Sequence, residues 1–241
     1  MIAEVRERLA GAASICVLTG SGISAESGLP TFRGAGGLWK THRVEELASP
    51  AGFARDPDLV WNWYNERRAV HLAAEPNAGH RALAVLEARS RDFTIATQNV
   101  DSLHYRAGSR NVLELHGSLR TVRCDTCGER RPFDRPLDPT DVAHACAGYM
   151  RPDIVWFGEA LPSKIWDRAV AAAARADVVL VIGTSGMVNP AAALATRVPR
   201  DGAFIVEVNV EPTLITPYTD VHLSGSAGEI LPHLLETVES A

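Results

Sequence analysis

The run Ile15-Cys16-Val17-Leu18-Thr19-Gly20-Ser21-Gly22-Ile23-Ser24-Ala25 passes without a break from four apolar residues into a glycine turn. A continuous apolar run, unlike an alternating one, marks a strand buried on both faces of a parallel sheet. Gly20, Gly22 and the small Ala25 fit the pattern G-x-G-x-x-G/A, a tight turn whose backbone N–H groups can approach a pyrophosphate closely. Glycine turns after strands are common, so the pattern alone leaves a plain structural turn open. A dehydrogenase would next show a second strand ending in an acid that holds the ribose. This chain instead continues Glu26-Ser27-Gly28-Leu29-Pro30-Thr31-Phe32-Arg33-Gly34. The expectation is nucleotide binding without hydride transfer.

Three more apolar runs repeat the first: Phe93-Thr94-Ile95-Ala96, Val178 to Ile182 and Phe204 to Val208. Helical patterns lie near them at Ile2 to Ala12, Gly79 to Arg89, Ser163 to Ala174 and Pro190 to Thr196. Strand and helix in alternation predict an α/β fold, a doubly wound, Rossmann-like parallel sheet with ligands at the carboxyl ends of its strands. Those ends are polar or glycine-rich: Thr97-Gln98-Asn99, Gly183-Thr184-Ser185 and Asn209. Two stretches do not fit the sheet. Residues 31–75 and 120–153 lack the apolar content for separate cores and are read as one small inserted domain, helical in its first part and a candidate zinc module in its second. Residues 1–30, 76–119 and 154–241 then form the nucleotide-binding domain.

The bulk properties narrow the field. Hydrophobic residues make up 46% of the 241 positions, ordinary for a globular protein with a core. A net charge of −5 argues against a nucleic-acid surface. No apolar stretch approaches the roughly 20 residues that cross a bilayer, and the N-terminus lacks a signal-peptide core. Four cysteines do not make a disulfide framework here, so a cytoplasmic, monomeric protein is expected, with neither nucleic acid nor membrane as partner.

Several residues invite chemistry. His116 follows the run Val112-Leu113-Glu114-Leu115; an imidazole suits proton abstraction near neutral pH, though a histidine at a strand end is often a satisfied structural group. Asp101 fits an N-cap, which leaves Gln98 and Asn99 unexplained. Cys124-x-x-Cys127 has metal-ligand spacing, and Cys146 follows. Cys16 reads as a core residue. Asp56-Pro57 predicts an N-cap and first helical residue, opening a helix through about Ala73. On it Tyr64 and Arg67 share a face and could together grip a carboxylate. The plainer alternative puts Tyr64 in the core and pairs Arg67 or Arg68 with an acid. Val155 to Glu159 reads as an edge strand.

Gly20 to Gly34 closely resembles the cofactor loop of sirtuins. Thr97-Gln98-Asn99-Val100-Asp101, Leu115-His116-Gly117, Val155-Trp156-Phe157-Gly158-Glu159, Gly183-Thr184-Ser185 and Asn209-Val210-Glu211 follow in that family's order. Ser21 departs from the usual alanine. The resemblance implies an NAD-dependent protein lysine deacylase, in which the acyl oxygen attacks the nicotinamide-bearing ribose carbon. Deacylated lysine, nicotinamide and O-acyl-ADP-ribose are the implied products. It implies His116 as general base on a ribose hydroxyl, Asn99 and Asp101 orienting the ribose and the carboxamide, and Gln98 bonding the ribose. Gly20, Ser21, Gly22, Ala25, Glu26, Thr31, Phe32 and Arg33 would line the cofactor loop, and Gly183, Thr184, Ser185, Asn209, Glu211 and Ala227 the adenosine half. Val155, Trp156, Phe157 and Gly158 would pair with the main chain of an acyl-lysine peptide. Ala35, Tyr64 and Arg67 match the acyl pocket of class III sirtuins, which implies removal of succinyl and malonyl groups, with acetyl as a secondary substrate. The family's structural zinc is held by four cysteines; here Ala143 stands where the fourth belongs, and His144 is the expected substitute, with loss of the metal as the alternative. ADP-ribosyl transfer to protein and NAD sensing without turnover are the competing functions.

Overall fold

The computed structural model describes residues 1–31, 44–133, 135, 144–196, 198 and 202–236. Six strands form one wholly parallel sheet: β1 (Ser14–Thr19), β2 (Asp92–Thr97), β3 (Val112–Glu114), β7 (Val178–Ile182), β8 (Phe204–Asn209) and β9 (Val221–Ser224). Their spatial order is β3-β2-β1-β7-β8-β9. The chain winds outward in one direction from β1 and in the other from β7. The crevice at their carboxyl ends is therefore the topological switch point, where this class of sheet binds ligands.

The apolar runs are continuous because both faces are covered. On one face Val17, Ile95, Leu180 and Val206 pack against α1 (Ile2–Gly11), α5 (Ala78–Arg89) and α9 (Ala227–Leu235). On the other, Cys16, Leu18, Val179 and Val181 pack against α7 (Ser163–Arg175) and α8 (Ala193–Thr196). Each large aliphatic side chain so buried contributes about 1.5–3 kcal/mol. The helix expected from Pro190 begins at Ala193. Strands β3 and β9 are too short to stand out from sequence, and each gains its place by pairing with one neighbour.

A second core joins the two insertions. Phe53 from α3 (Pro50–Arg55) and Val60, Trp61 and Tyr64 from α4 (Pro57–Ala73) meet Val122, Met150 and Trp156. Helix α4 starts as expected, with Asp56 Oδ1 accepting from Leu59 N at 2.9 Å. The second insertion departs from its reading: β4 (Gly117–Cys124), β5 (Arg130–Pro132) and β6 (Met150–Ile154) make a small antiparallel sheet in the order β5-β4-β6. Its charged residues mask the alternation, because Arg151 is buried with its guanidinium stacked 3.3 Å from the Trp156 ring centroid.

The edge strand expected at Val155 to Glu159 is not formed. Strand β6 ends at Ile154, whose partner in β4 is Gly117. At Gly117 φ is +80°, and a Cβ there would lie 1.9 Å from Asp153 O; beyond it the main-chain bonds go to two different segments, Val155 N to His116 O and Phe157 N to Ala48 O, so no regular ladder continues. The Glu159 carboxylate then closes a turn, accepting from Trp156 N at 2.8 Å and pairing with Arg151 at 2.7 Å.

Candidate active site

Two glycine turns interlock at the switch point. Gly20 N donates to Ile182 O at 3.0 Å and Gly22 N to Gly183 O at 2.8 Å. A Cβ on Gly22 would stand 2.7 Å from Gly183 Cα, and one on Gly183, where φ is +59°, 2.4 Å from Ile23 N. These glycines let the loops after β1 and β7 touch. The N–H groups of Gly20, Gly22 and Gly183 are themselves engaged within the protein. Residues Ser21–Ser27 form a 3₁₀ turn rather than an α-helix.

Around this junction the amide and hydroxyl side chains converge. Gln98 Nε2 donates to Thr184 Oγ1 at 3.0 Å, and Asn209 Nδ2 to Thr184 O at 3.0 Å. Asn99 Nδ2 donates to Gly20 O at 3.1 Å and Ser24 Oγ at 3.2 Å. Asp101 is buried, accepting from Ser24 Oγ at 2.7 Å and, as an Asx turn, from Leu103 N at 2.9 Å. Burial pushes its carboxyl above the usual range, against the pull of these hydrogen bonds. The N-cap of the short helix Leu103–Arg106 is Ser102, so Asp101 stands one residue outside it rather than capping it; one of its oxygens serves the Asx turn and the other Ser24.

His116 is fixed by its backbone. It lies between β3 and β4, and Val155 N donates to its carbonyl at 2.9 Å. Its Nδ1 lies 3.0 Å from Gln98 O, which sets the tautomer: Nδ1 carries the proton and donates, leaving Nε2 with a lone pair. Burial holds the imidazole below its ordinary pKa, with the Gln98 bond acting in the opposite sense. A neutral imidazole with an accepting Nε2 can take a proton.

The remaining expected residues divide. Ala25, Ser185 and Glu211 are exposed and Thr31 half-buried. Glu26 has a second use: its carboxylate accepts from Ser226 Oγ at 2.9 Å and Gly228 N at 2.6 Å, capping α9 beside the buried Ala227. Phe32, Arg33 and Ala35 lie outside the described residues. In the small domain, Tyr64 is 1% exposed and its hydroxyl accepts from Trp156 Nε1 at 2.8 Å. The Arg67 guanidinium lies 4.4 Å from the Trp63 ring centroid and 5.7 Å from that of Tyr64. Its Nε is buried without a hydrogen-bond partner, and no acid pairs with it among the described residues.

Sequence reasoning missed a buried polar layer beneath the site. His80 Nε2 lies 3.4 Å from Ser24 Oγ, and His104 Nε2 2.9 Å from Thr19 Oγ1, which donates to Thr97 Oγ1 at 2.8 Å. Burial pushes His80 down to about 4 and His104 to about 3, so both are neutral hydrogen-bonding groups. The only signal was two histidines in apolar helical stretches, a pattern that ordinarily marks core residues.

Cys124, Cys127, His144 and Cys146 gather with all ligand atoms within 4.8 Å of one another. Cys124 and Cys146 sulfurs are 3.4 Å apart, and His144 Nδ1 is 3.2 Å from Cys146 Sγ. A tetrahedral zinc needs such atoms about 3.5–3.8 Å apart, so the donor set fits this ion. The other ring nitrogen of His144 lies 3.2 Å from Glu129 Oε2, the carboxylate partner that commonly orients a zinc-bound histidine. The ion would cross-link the chain after β4 to the chain before β6, with no part in the reaction. Metal analysis should find about one zinc per chain, and a chelator or Cys124→Ser should lower the melting temperature. Metal-free protein of unchanged stability would show that packing alone holds the module.

The same architecture occurs in known proteins. Residues 20–190 match the model of the Sir2 family. NAD-dependent protein deacylase 2 of Pyrobaculum aerophilum is 52% identical over 237 residues, covering 98% of this chain and 95% of the relative. A Sir2 homologue solved as its NAD complex superposes with a TM-score of 0.91 at 45% identity, covering 96% of this chain and 91% of that one. A Sir2 variant with deacetylated p53 peptide and 3′-O-acetyl ADP ribose gives 0.88 at 31% identity, covering 97% of both. The fold and crevice define an NAD-dependent enzyme of the doubly wound class. The chain belongs to the Sir2 family.

Proposed function

We propose that this protein is an NAD-dependent protein lysine deacylase whose acyl pocket favours acidic groups such as succinyl and malonyl. NAD supplies a ribose carbon that parts with nicotinamide and a ribose hydroxyl that takes up the acyl group. The convergence of Gln98, Asn99, Thr184 and Asn209 on the switch point suits a polar dinucleotide. Asn99 and Asp101 orient its nicotinamide end, and His116 Nε2 removes the proton of the ribose hydroxyl. Val155–Gly158 continues from β6, with Val155 N donating to His116 O and Phe157 N to Ala48 O. A peptide main chain laid alongside it would pair with this segment, as in β-augmentation.

The observation that carries the acyl preference is the Arg67 guanidinium, whose Nε is buried without a hydrogen-bond partner and which pairs with no acid among the described residues. Burial pulls its pKa down, the sign of a cation short of a counter-charge. A buried charge without a partner is costly, and a terminal carboxylate on the acyl chain would compensate it. Burial raises the Tyr64 pKa, so its phenol keeps its proton, and with Trp156 donating to the oxygen that proton is available to the same carboxylate. The direct test incubates the protein and NAD with succinyl-, malonyl- and acetyl-lysine peptides of one sequence. Higher kcat/KM on the acidic acyl groups is expected. Turnover confined to acetyl-lysine would remove the acidic preference, and an absence of nicotinamide release with every peptide would remove the deacylase reading.

A further inference from the structure

Glu114 ends β3 close to the site, and its carboxyl pairs with no cation among the described residues. Its Oε1 accepts from Ser102 Oγ at 3.0 Å, and Ser102 Oγ lies 3.0 Å from Ser118 Oγ, which in turn accepts from Arg120 N at 3.3 Å. Ser102 has φ +59°, the left-handed region that a residue with a side chain occupies when its surroundings over-determine it. It directly follows Asp101, whose carboxylate accepts from Ser24 Oγ.

Two segments are thus laced together across the site, residues 97–102 and 114–119. Leu115 N donates to Thr97 O at 2.9 Å, His116 Nδ1 to Gln98 O at 3.0 Å and Leu119 N to Val100 O at 2.9 Å. At the far end of this lacing the bond to Ser102 is made by side chains alone. The two segments are not equally anchored. His116 is held again from the other side by Val155 N, and Gly117 packs directly on Asp153 O. The Asp101-Ser102 turn has Glu114 and Ser118 as its side-chain tie on this flank.

We propose that Glu114 is a positioning residue for the NAD site: through the Ser102 hydroxyl it holds the left-handed turn that aims the Asp101 carboxylate. This deepens the deacylase reading and rests on it for the role of Asp101. The environment of Glu114 agrees. Burial first, then the nearby Asp101 and Asp153 carboxylates, push its carboxyl up to about 7, against the bonds from Ser102 and Ser118. A half-buried acid with two other carboxylates nearby makes no salt bridge among the described residues. Its contacts with the two hydroxyls are what its position provides.

The tie predicts which step suffers when it is cut. The Asp101 turn loosens while His116 keeps its own anchors, so binding of NAD should weaken more than turnover at saturation. Glu114→Ala is expected to raise KM for NAD, the calorimetric Kd for NAD and the inhibition constant for nicotinamide by about tenfold, the worth of one hydrogen bond. Its kcat should stay within about threefold of the parent. Ser102→Gly adopts the turn freely but lacks the hydroxyl, and should show the same shift; it also carries the test if the first variant fails to fold. Glu114→Gln keeps an accepting oxygen and should restore parental KM, a rescue that loss of fold stability would not give. Parental KM in Glu114→Ala or in Ser102→Gly, a fall in kcat at constant KM, or failure of glutamine to rescue would each overturn the proposal. If the parent protein released no nicotinamide with any acyl-lysine peptide, the deacylase reading would fail instead, while the calorimetric comparison would still decide whether Glu114 shapes the NAD site.

Discussion

Replacing His116 by alanine is expected to lower kcat/KM for deacylation by about 10²–10⁴-fold, the range for loss of a general base, with NAD binding and the melting temperature close to those of the parent. The geometry explains why so much rests on one ring. Its Nδ1–H is committed to Gln98 O, so Nε2 is the atom left to take a proton. The parent enzyme should also carry a pH signature. His116 acts when neutral, and burial lowers its pKa from the ordinary 6.5. Activity should therefore be full above that value and fall as the pH drops through the lowered pKa, placing the acid limb of kcat/KM below pH 6.5. That quantity reports the free enzyme, the state described here. An alanine variant with near-parental deacylation, or an acid limb above pH 6.5 in the parent, would remove His116 as the base.

Arg67→Met should have the next largest effect, and on one class of substrate. Methionine keeps much of the apolar stem and removes the cation that stacks over Trp63. A charge-assisted hydrogen bond is worth about 1.5–3 kcal/mol, so kcat/KM on succinyl-lysine should fall about ten- to a hundredfold. Acetyl-lysine has no carboxylate to lose a partner and should be affected much less. Equal losses on the two substrates would make Arg67 a structural residue stacked on Trp63 and end the acidic-acyl reading.

Of the plainer alternative read for the Tyr64 and Arg67 pair, one half holds and the other does not. Tyr64 packs into the small-domain core, where Trp156 bonds its hydroxyl, yet Arg67 on the next turn pairs with no acid among the described residues. Helical spacing shows that two side chains share a face; it cannot show what faces them. The Val155 to Glu159 segment shows the opposite failure. Its composition suits a strand, but its main-chain donors go to two different segments, Val155 N to His116 O and Phe157 N to Ala48 O, and no ladder forms. Glu26 was legible as part of the glycine loop but not as the cap of α9, two hundred residues away in the chain.

By itself the sequence determined the sheet. Continuous apolar runs bounded by glycine and polar residues require burial on both faces, and only a parallel sheet wrapped by helices supplies it. It also determined the start of α4, since an aspartate followed by proline is a local instruction needing no distant partner. The Cys124-x-x-Cys127 half of the metal site is local for the same reason. Tertiary structure alone decided what depends on contacts between segments far apart. It brought His144 and Cys146 to the first two cysteines, and set Ser24, His80 and His104 beneath the crevice. It also turned the glycines of two separate strands against each other and tied Ser102 to Glu114. Local propensity carries no information about such pairs. Their geometry is fixed only when the sheet closes and the cost of burying each polar group has to be met by a partner from elsewhere in the chain.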